Sequence, residues 1–156
     1  MMRTDFIEWA KKHNWKIETA ENVTALPDTI TRRYQIPAQW LDFIQNLQIC
    51  ENASADKWFL TPKDYLPAED GFQWNTFELE SLSYAADEDE KDHITAFWNT
   101  HLPIFLSVDG EYSYIAIDIT TGRIVSGYEP EYEEITVIAE DFDSFLNQVI
   151  AGDITL

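Results

Sequence analysis

The side chains best able to do chemistry are carboxylates, and they gather in two runs, Asp87-Glu88-Asp89-Glu90-Lys91-Asp92 and Glu129-Pro130-Glu131-Tyr132-Glu133-Glu134. Carboxylates can move protons in pairs, hold a hard cation in clusters, or meet a basic protein along a rim. The first run opens like a calcium loop and then departs from it. Lys91 and Asp92 fall at the fifth and sixth positions, where a ligand and a glycine are needed. Trp98 stands at the twelfth, where a bidentate glutamate belongs. Spacing singles out no catalytic pair among 29 acidic residues, and solvation is the default state of such groups. The second run differs in mixing carboxylates with Tyr128 and Tyr132. Tyrosine ringed by charge is the composition of a protein interface, with an ordinary acidic hairpin loop as the alternative.

Other chemistries find no footing. His13, His93 and His101 are too widely spaced for a helical ligand pair, and no His-Glu-x-x-His or Cys-x-x-Cys pattern occurs. The 5 glycines are scattered and build no phosphate loop, and no serine sits in a nucleophile elbow. Cys50, the single cysteine, follows an apolar stretch that reads as a helix end, where a packed, inert thiol is expected. No catalytic residue, metal or cofactor is therefore expected.

The distribution of charge is more telling than its total. Of 29 acids and 10 bases, eight of each fall within residues 1–63. The remainder carries 21 acids against two bases, Lys91 and Arg123, and hence the whole net charge of -19. Such a field repels nucleic acid and anionic membranes and attracts cationic partners. The plain alternative is that the charge only keeps the chain soluble. The opening residues lack the apolar segment of a signal peptide, and a lone cysteine suits a reducing compartment, so a cytoplasmic protein is expected.

These residues need elements to position them. Phe6, Trp9, Ala10 and His13 recur at helical spacing and predict a helix near 5–13. Leu26-Pro27-Asp28 starts another, reaching Tyr34. Pro37 followed by Trp40, Phe43, Ile44 and Leu47 predicts a helix over 38–48. Trp58-Phe59-Leu60 reads as a short strand, 64–73 as loop and 75–86 as helix. The first acidic run then reads as a solvated turn or the start of a helix through Ile94, Phe97 and Trp98.

From Leu102 the period becomes two, with Asp109-Gly110 as a two-residue hairpin turn and Thr120-Thr121-Gly122 as the next turn. Strands follow at 123–128 and 134–138, and Phe142, Phe145, Leu146, Val149 and Ile150 form a last amphipathic helix ending at Gly152. The class is α+β in a single domain over 1–156: helices, an antiparallel meander and a closing helix.

Certain segments resemble a known family. They are Leu26-Pro27, the stretch Ile36-Pro37-Ala38-Gln39-Trp40-Leu41-Asp42-Phe43-Ile44, and Trp58-Phe59-Leu60. The run from Leu102 through Gly110-Glu111-Tyr112-Ser113-Tyr114 to Asp118, then Gly122-Arg123-Ile124-Val125, and Ile138 to Leu146 complete the set. Together they resemble the SUKH superfamily, which includes the fungal Smi–Knr cell-wall-assembly regulators. The chain departs from it at Gln48-Ile49-Cys50-Glu51-Asn52-Ala53, where many members turn on glycines. The resemblance implies an α+β fold with a bent central sheet and flanking helices. It also implies an immunity protein that binds and neutralises a cognate toxin, often a nuclease, with a regulatory adaptor as the alternative. No catalytic residues come with it.

The expected partner is thus a basic protein, with no nucleic acid and no membrane, and a monomer is favoured. The residues expected to meet it are Asp87, Glu88, Asp89, Glu90 and Asp92 of the first run, with Tyr128, Glu129, Glu131, Tyr132, Glu133 and Glu134 of the second. Tyr128 or Tyr132 would supply the apolar anchor.

Overall fold

The computed structural model describes residues 2–68 and 71–156. Glu69 and Asp70, within the stretch read as loop, lie outside the described residues. Seven strands form one sheet: β1 Lys16–Thr19, β2 Leu47–Glu51, β3 Lys57–Phe59, β4 His101–Ser107, β5 Ser113–Asp118, β6 Ile124–Tyr128 and β7 Thr136–Ala139. Their spatial order is their chain order, and every pairing is antiparallel. The helices are α1 Met2–Lys12, α2 Asp28–Arg33, α3 Ala38–Ile44, α4 Thr76–Ser83, α5 Glu88–Thr100 and α6 Phe142–Ala151, with a 3-10 turn at Pro62–Tyr65. The chain is α+β, as its sequence implies.

All seven residues of β4 are buried, and so are the four central residues of β5. The period of two therefore sorts residues between the two covered faces of the sheet. Phe59 of β3 pairs with Phe105 of β4, and Phe59 touches Phe6 of α1, Phe43 of α3 and Phe145 of α6, so these helices cover one face. Leu106 pairs with Tyr114 of β5, whose ring meets Trp98 of α5 at 5.0 Å and Phe77 of α4 at 6.0 Å, so α4 and α5 cover the other.

Local chemistry sets the helix ends. The Asp87 side chain accepts the Glu90 N–H at 2.8 Å, and the Glu90 carboxylate accepts the Ala86 N–H at 2.9 Å. The acidic run is thus the capped start of α5. Asp141 caps α6 through the Ser144 N–H at 2.8 Å, and Gly152 ends that helix at a φ of 86°.

Several predicted boundaries move. The helix expected over 38–48 stops at Ile44, and Leu47 and Cys50 belong to β2 instead. Leu47 and Cys50 are its buried apolar positions, and β1 is there to pair with Leu47, Ile49 and Cys50. β1 itself, exposed and charged at Lys16 and Glu18, is too short and polar to show an apolar alternation in the sequence. The helix expected over 75–86 ends at Ser83, and the strand expected over 134–138 runs from Thr136 to Ala139. The link between β4 and β5 spans 108–112 rather than two residues, with Gly110 at a φ of 70°. Cys50 is buried, as its apolar surroundings imply, and burial first, then Glu51, pushes its thiol up to about 12.

Candidate functional site

A cleft of about 450 Å³ opens between α4, the start of α5 and the loop joining β6 to β7. Five carboxylates line it: Glu80 from α4, Glu90 from α5, and Glu129, Glu131 and Glu133 from the loop. Among the described residues, no lysine, arginine or histidine lines it. Tyr84 also lines it and is 80 % exposed, which makes it the aromatic lip of the cleft. Charge of one sign on low-dielectric walls focuses the field and concentrates cations.

Hydrogen bonds hold the loop in place. Glu133 accepts from the Ser81 hydroxyl at 2.8 Å and from the Trp98 indole N–H at 3.0 Å, tying the loop to both α4 and α5. Glu129 accepts the Tyr112 N–H at 2.9 Å. The Tyr114 hydroxyl donates to the Tyr132 carbonyl. Glu80 and Glu131 have no ion-pair partner among the described residues.

Tyr132 corrects an expectation. It is 2 % exposed, and its ring stacks on Phe77 at 4.5 Å and 12°, so it is a core residue and offers no surface anchor. The loop folds back because an apolar ring between two carboxylates gains about 2 kcal/mol by burial, and Phe77 of α4 provides the matching face. Its hydroxyl is buried without a hydrogen-bond partner and lies toward the Glu80 carboxylate, short of bonding geometry. Burial, and then Glu80 and Glu129, hold that hydroxyl far above the ordinary range for a phenol.

Glu133 is likewise no simple rim charge, since its carboxylate is a structural tether. Asp87, Glu88, Asp89 and Asp92 are exposed at the cap and first two turns of α5, Glu134 is exposed near the end of the loop, and none of these five lines the cleft. Tyr128 is 58 % exposed but lines a separate groove with Lys57 and Ser113. The structure thus unites Glu90 with Glu129, Glu131 and Glu133 and leaves the other expected partners outside. Sequence reasoning missed Glu80 and Tyr84, which sit on an α4 stretch with no periodic signal tying it to the loop.

A larger groove of about 520 Å³ lies along α3 and mixes Arg3 with Asp42 and Asp143. Arg3 spans it, donating to the Asp42 backbone carbonyl and to the Asn46 side-chain oxygen. Beneath the acidic side, Arg33 forms a two-point bond with Glu78 at 2.8 and 3.0 Å and also donates to Asn99 at 2.9 Å. Its guanidinium lies over the Tyr34 and Trp74 rings, 5.2 and 5.7 Å from their centres. That pair is internal and structural. Among the described residues, no group of three or more His, Cys, Asp or Glu converges as metal ligands do. No helix among them is long and apolar enough to cross a membrane. No protein-family model, curated protein or solved structure matches the chain.

Proposed function

We propose that the protein is a non-catalytic binder of a basic protein, an immunity protein that neutralises a cognate toxin by occupying it with its acidic side. The observation that carries this reading is the cleft, where three separated segments bring five carboxylates together with no base among them. Charge placed there without internal compensation is costly in the free protein and is relieved by a cationic ligand. The α+β fold agrees with the one the SUKH resemblance implies. A nuclease that grips phosphates presents lysine and arginine, and a one-signed face meets such a surface about ten- to a thousandfold faster than a neutral one.

Co-expression with a candidate toxin domain, taken from any toxin-like gene adjacent to its own, tests the proposal. Growth should be restored by the parent chain. Glu80→Gln with Glu131→Gln should slow association and flatten its salt dependence with the melting temperature unchanged, because neither side chain forms an ion pair among the described residues. Failure of the parent chain to protect the cell or to bind the toxin would sink the proposal.

A further inference from the structure

We propose that the acidic cleft is a receptor for an arginine side chain of the partner, its guanidinium seated among Glu80, Glu129 and Glu131, against the Tyr84 ring and within reach of the Tyr132 hydroxyl. The proposal rests on the protein-binding reading above and names the chemistry that the cleft would recognise.

Three observations converge on a guanidinium. The first is acceptor supply. Glu129 uses one carboxylate oxygen on Tyr112, Glu133 uses one on Ser81 and Trp98, and Glu90 uses one on Ala86. The second oxygen of each, and both oxygens of Glu80 and Glu131, make no hydrogen bond among the described residues. A guanidinium brings five donors in a planar fork and fits several acceptors at once, where an ammonium brings three on a point charge.

The second is independent of the acid count. Tyr132, 2 % exposed, lines this cleft and keeps a buried hydroxyl that makes no hydrogen bond of proper geometry, with the Glu80 carboxylate beside it. Buried polar groups without a partner are rare and costly. An N–H donated to that oxygen, once Glu80 turns toward the ligand, supplies what the fold leaves out. The third is the ring of Tyr84, 80 % exposed on the same wall. A planar cation stacks on such a ring, and arginine does so more often than lysine.

The chain shows the same chemistry in its own fold. Arg33 is held by the two oxygens of Glu78 and covered by Tyr34 and Trp74. Glu78 and Glu80 stand on the same helix, so α4 uses one glutamate to hold an internal guanidinium and presents the other to the cleft. A cleft of about 450 Å³ has room for one such side chain and its neighbouring backbone.

The test uses the whole protein and an end-blocked Gly-Arg-Gly peptide, with Gly-Lys-Gly as its counterpart. The reporter is the indole N–H resonance of Trp98, which donates to Glu133 in the cleft wall. The arginine peptide should shift it saturably and bind at least about fivefold tighter than the lysine peptide, the ratio expected from about 1 kcal/mol of stacking. Tyr84→Ala should bring the two peptides within about twofold of each other, a loss of that same stacking term. Glu80→Gln with Glu131→Gln should abolish the shift, and Tyr132→Phe should weaken it while keeping the stack on Phe77.

No shift by the arginine peptide, equal binding of the lysine peptide, or an unchanged shift in the double glutamine variant would each overturn the proposal. A basic protein that binds the parent chain while the peptide leaves Trp98 undisturbed would overturn the arginine receptor alone and leave the protein-binding reading standing. Peptide binding as described with no protein partner would do the reverse.

Discussion

Gly127→Ala should destabilise the protein by about 2–4 kcal/mol, far beyond what a single methyl on a strand ordinarily does. Gly127 of β6 pairs with Tyr114 of β5, and an added Cβ would stand 2.7 Å from both Cε1 and the hydroxyl oxygen of that tyrosine. The ring has little room to retreat. It is 1 % exposed and lies against Trp98 and Phe77, and its hydroxyl donates to the Tyr132 carbonyl. Overpacking of this kind costs about 1–3 kcal/mol. Displacing the ring also strands the Tyr132 carbonyl, for about 1–3 kcal/mol more. Reduced freedom of the unfolded chain returns about 0.4–1 kcal/mol.

For a chain of this size the net loss lowers the melting temperature by about 4–16 °C. Urea unfolding followed by tryptophan fluorescence measures it. Tyr114→Phe supplies the internal check. It should cost about 1–3 kcal/mol in the parent and much less in the Gly127→Ala background, since the same hydrogen bond cannot be lost twice. A variant within about 0.5 kcal/mol of the parent, or strict additivity of the two substitutions, would refute the steric reasoning.

Three further outcomes are open to measurement. Arg33→Met should cost about 3 kcal/mol, the low end for a broken buried pair because Arg33 is partly exposed, and Glu78→Leu added to it should recover most of the loss in urea midpoints. Stability should also fall above about pH 9. Burial holds Tyr34, Tyr65, Tyr114 and Tyr132 above the ordinary phenol range and pushes Cys50 up to about 12. The unfolded chain therefore ionises first, thiol near ~8.5 and phenols near ~10, and the native state loses ground as pH rises through that window. Urea midpoints at pH 8 and 10.5 read the slope, with a flat profile as the contrary result. Native Cys50 should likewise resist a thiol reagent at pH 8 and react only in denaturant.

Where pattern and packing coincide, the fold was legible. The last helix keeps its apolar stripe from Phe142 to Val149, an aspartate cap and a glycine stop, and it forms where those marks lie. The start of α5 was legible too, because carboxylates at a helix N-terminus satisfy both its cap and its dipole. β2 was misread because Trp40, Phe43, Ile44 and Leu47 continue a helical spacing that only the pairing with β1 overrides. The candidate site was legible in part. Its loop glutamates and Glu90 announce themselves as charge. Glu80 and Tyr84 do not, since what brings them to the cleft is the return of a distant loop, fastened where Ser81 meets Glu133 across 52 residues of chain. Tyr132 was misassigned for a related reason. A tyrosine among glutamates looks solvent-facing until Phe77 is known to lie opposite it.

The divided use of carboxylates in the cleft bears on how it would bind. Glu90, Glu129 and Glu133 each hold a backbone or side-chain donor, which fixes their positions before any partner arrives. Among the described residues Glu80 and Glu131 hold none of proper geometry and are left to adjust. A site with fixed charges at its walls loses little side-chain entropy on binding, while two adjustable carboxylates let the contact close around a cation of definite shape. Adjustable charges alone would give attraction with little selectivity, and fixed ones alone would tolerate no misfit. The tethers also explain why the structural and binding roles are separable. Removing Glu133 should loosen the loop from α4 and α5 before it alters the field, whereas removing Glu80 and Glu131 should alter the field and leave the loop where Trp98, Ser81 and Tyr114 hold it.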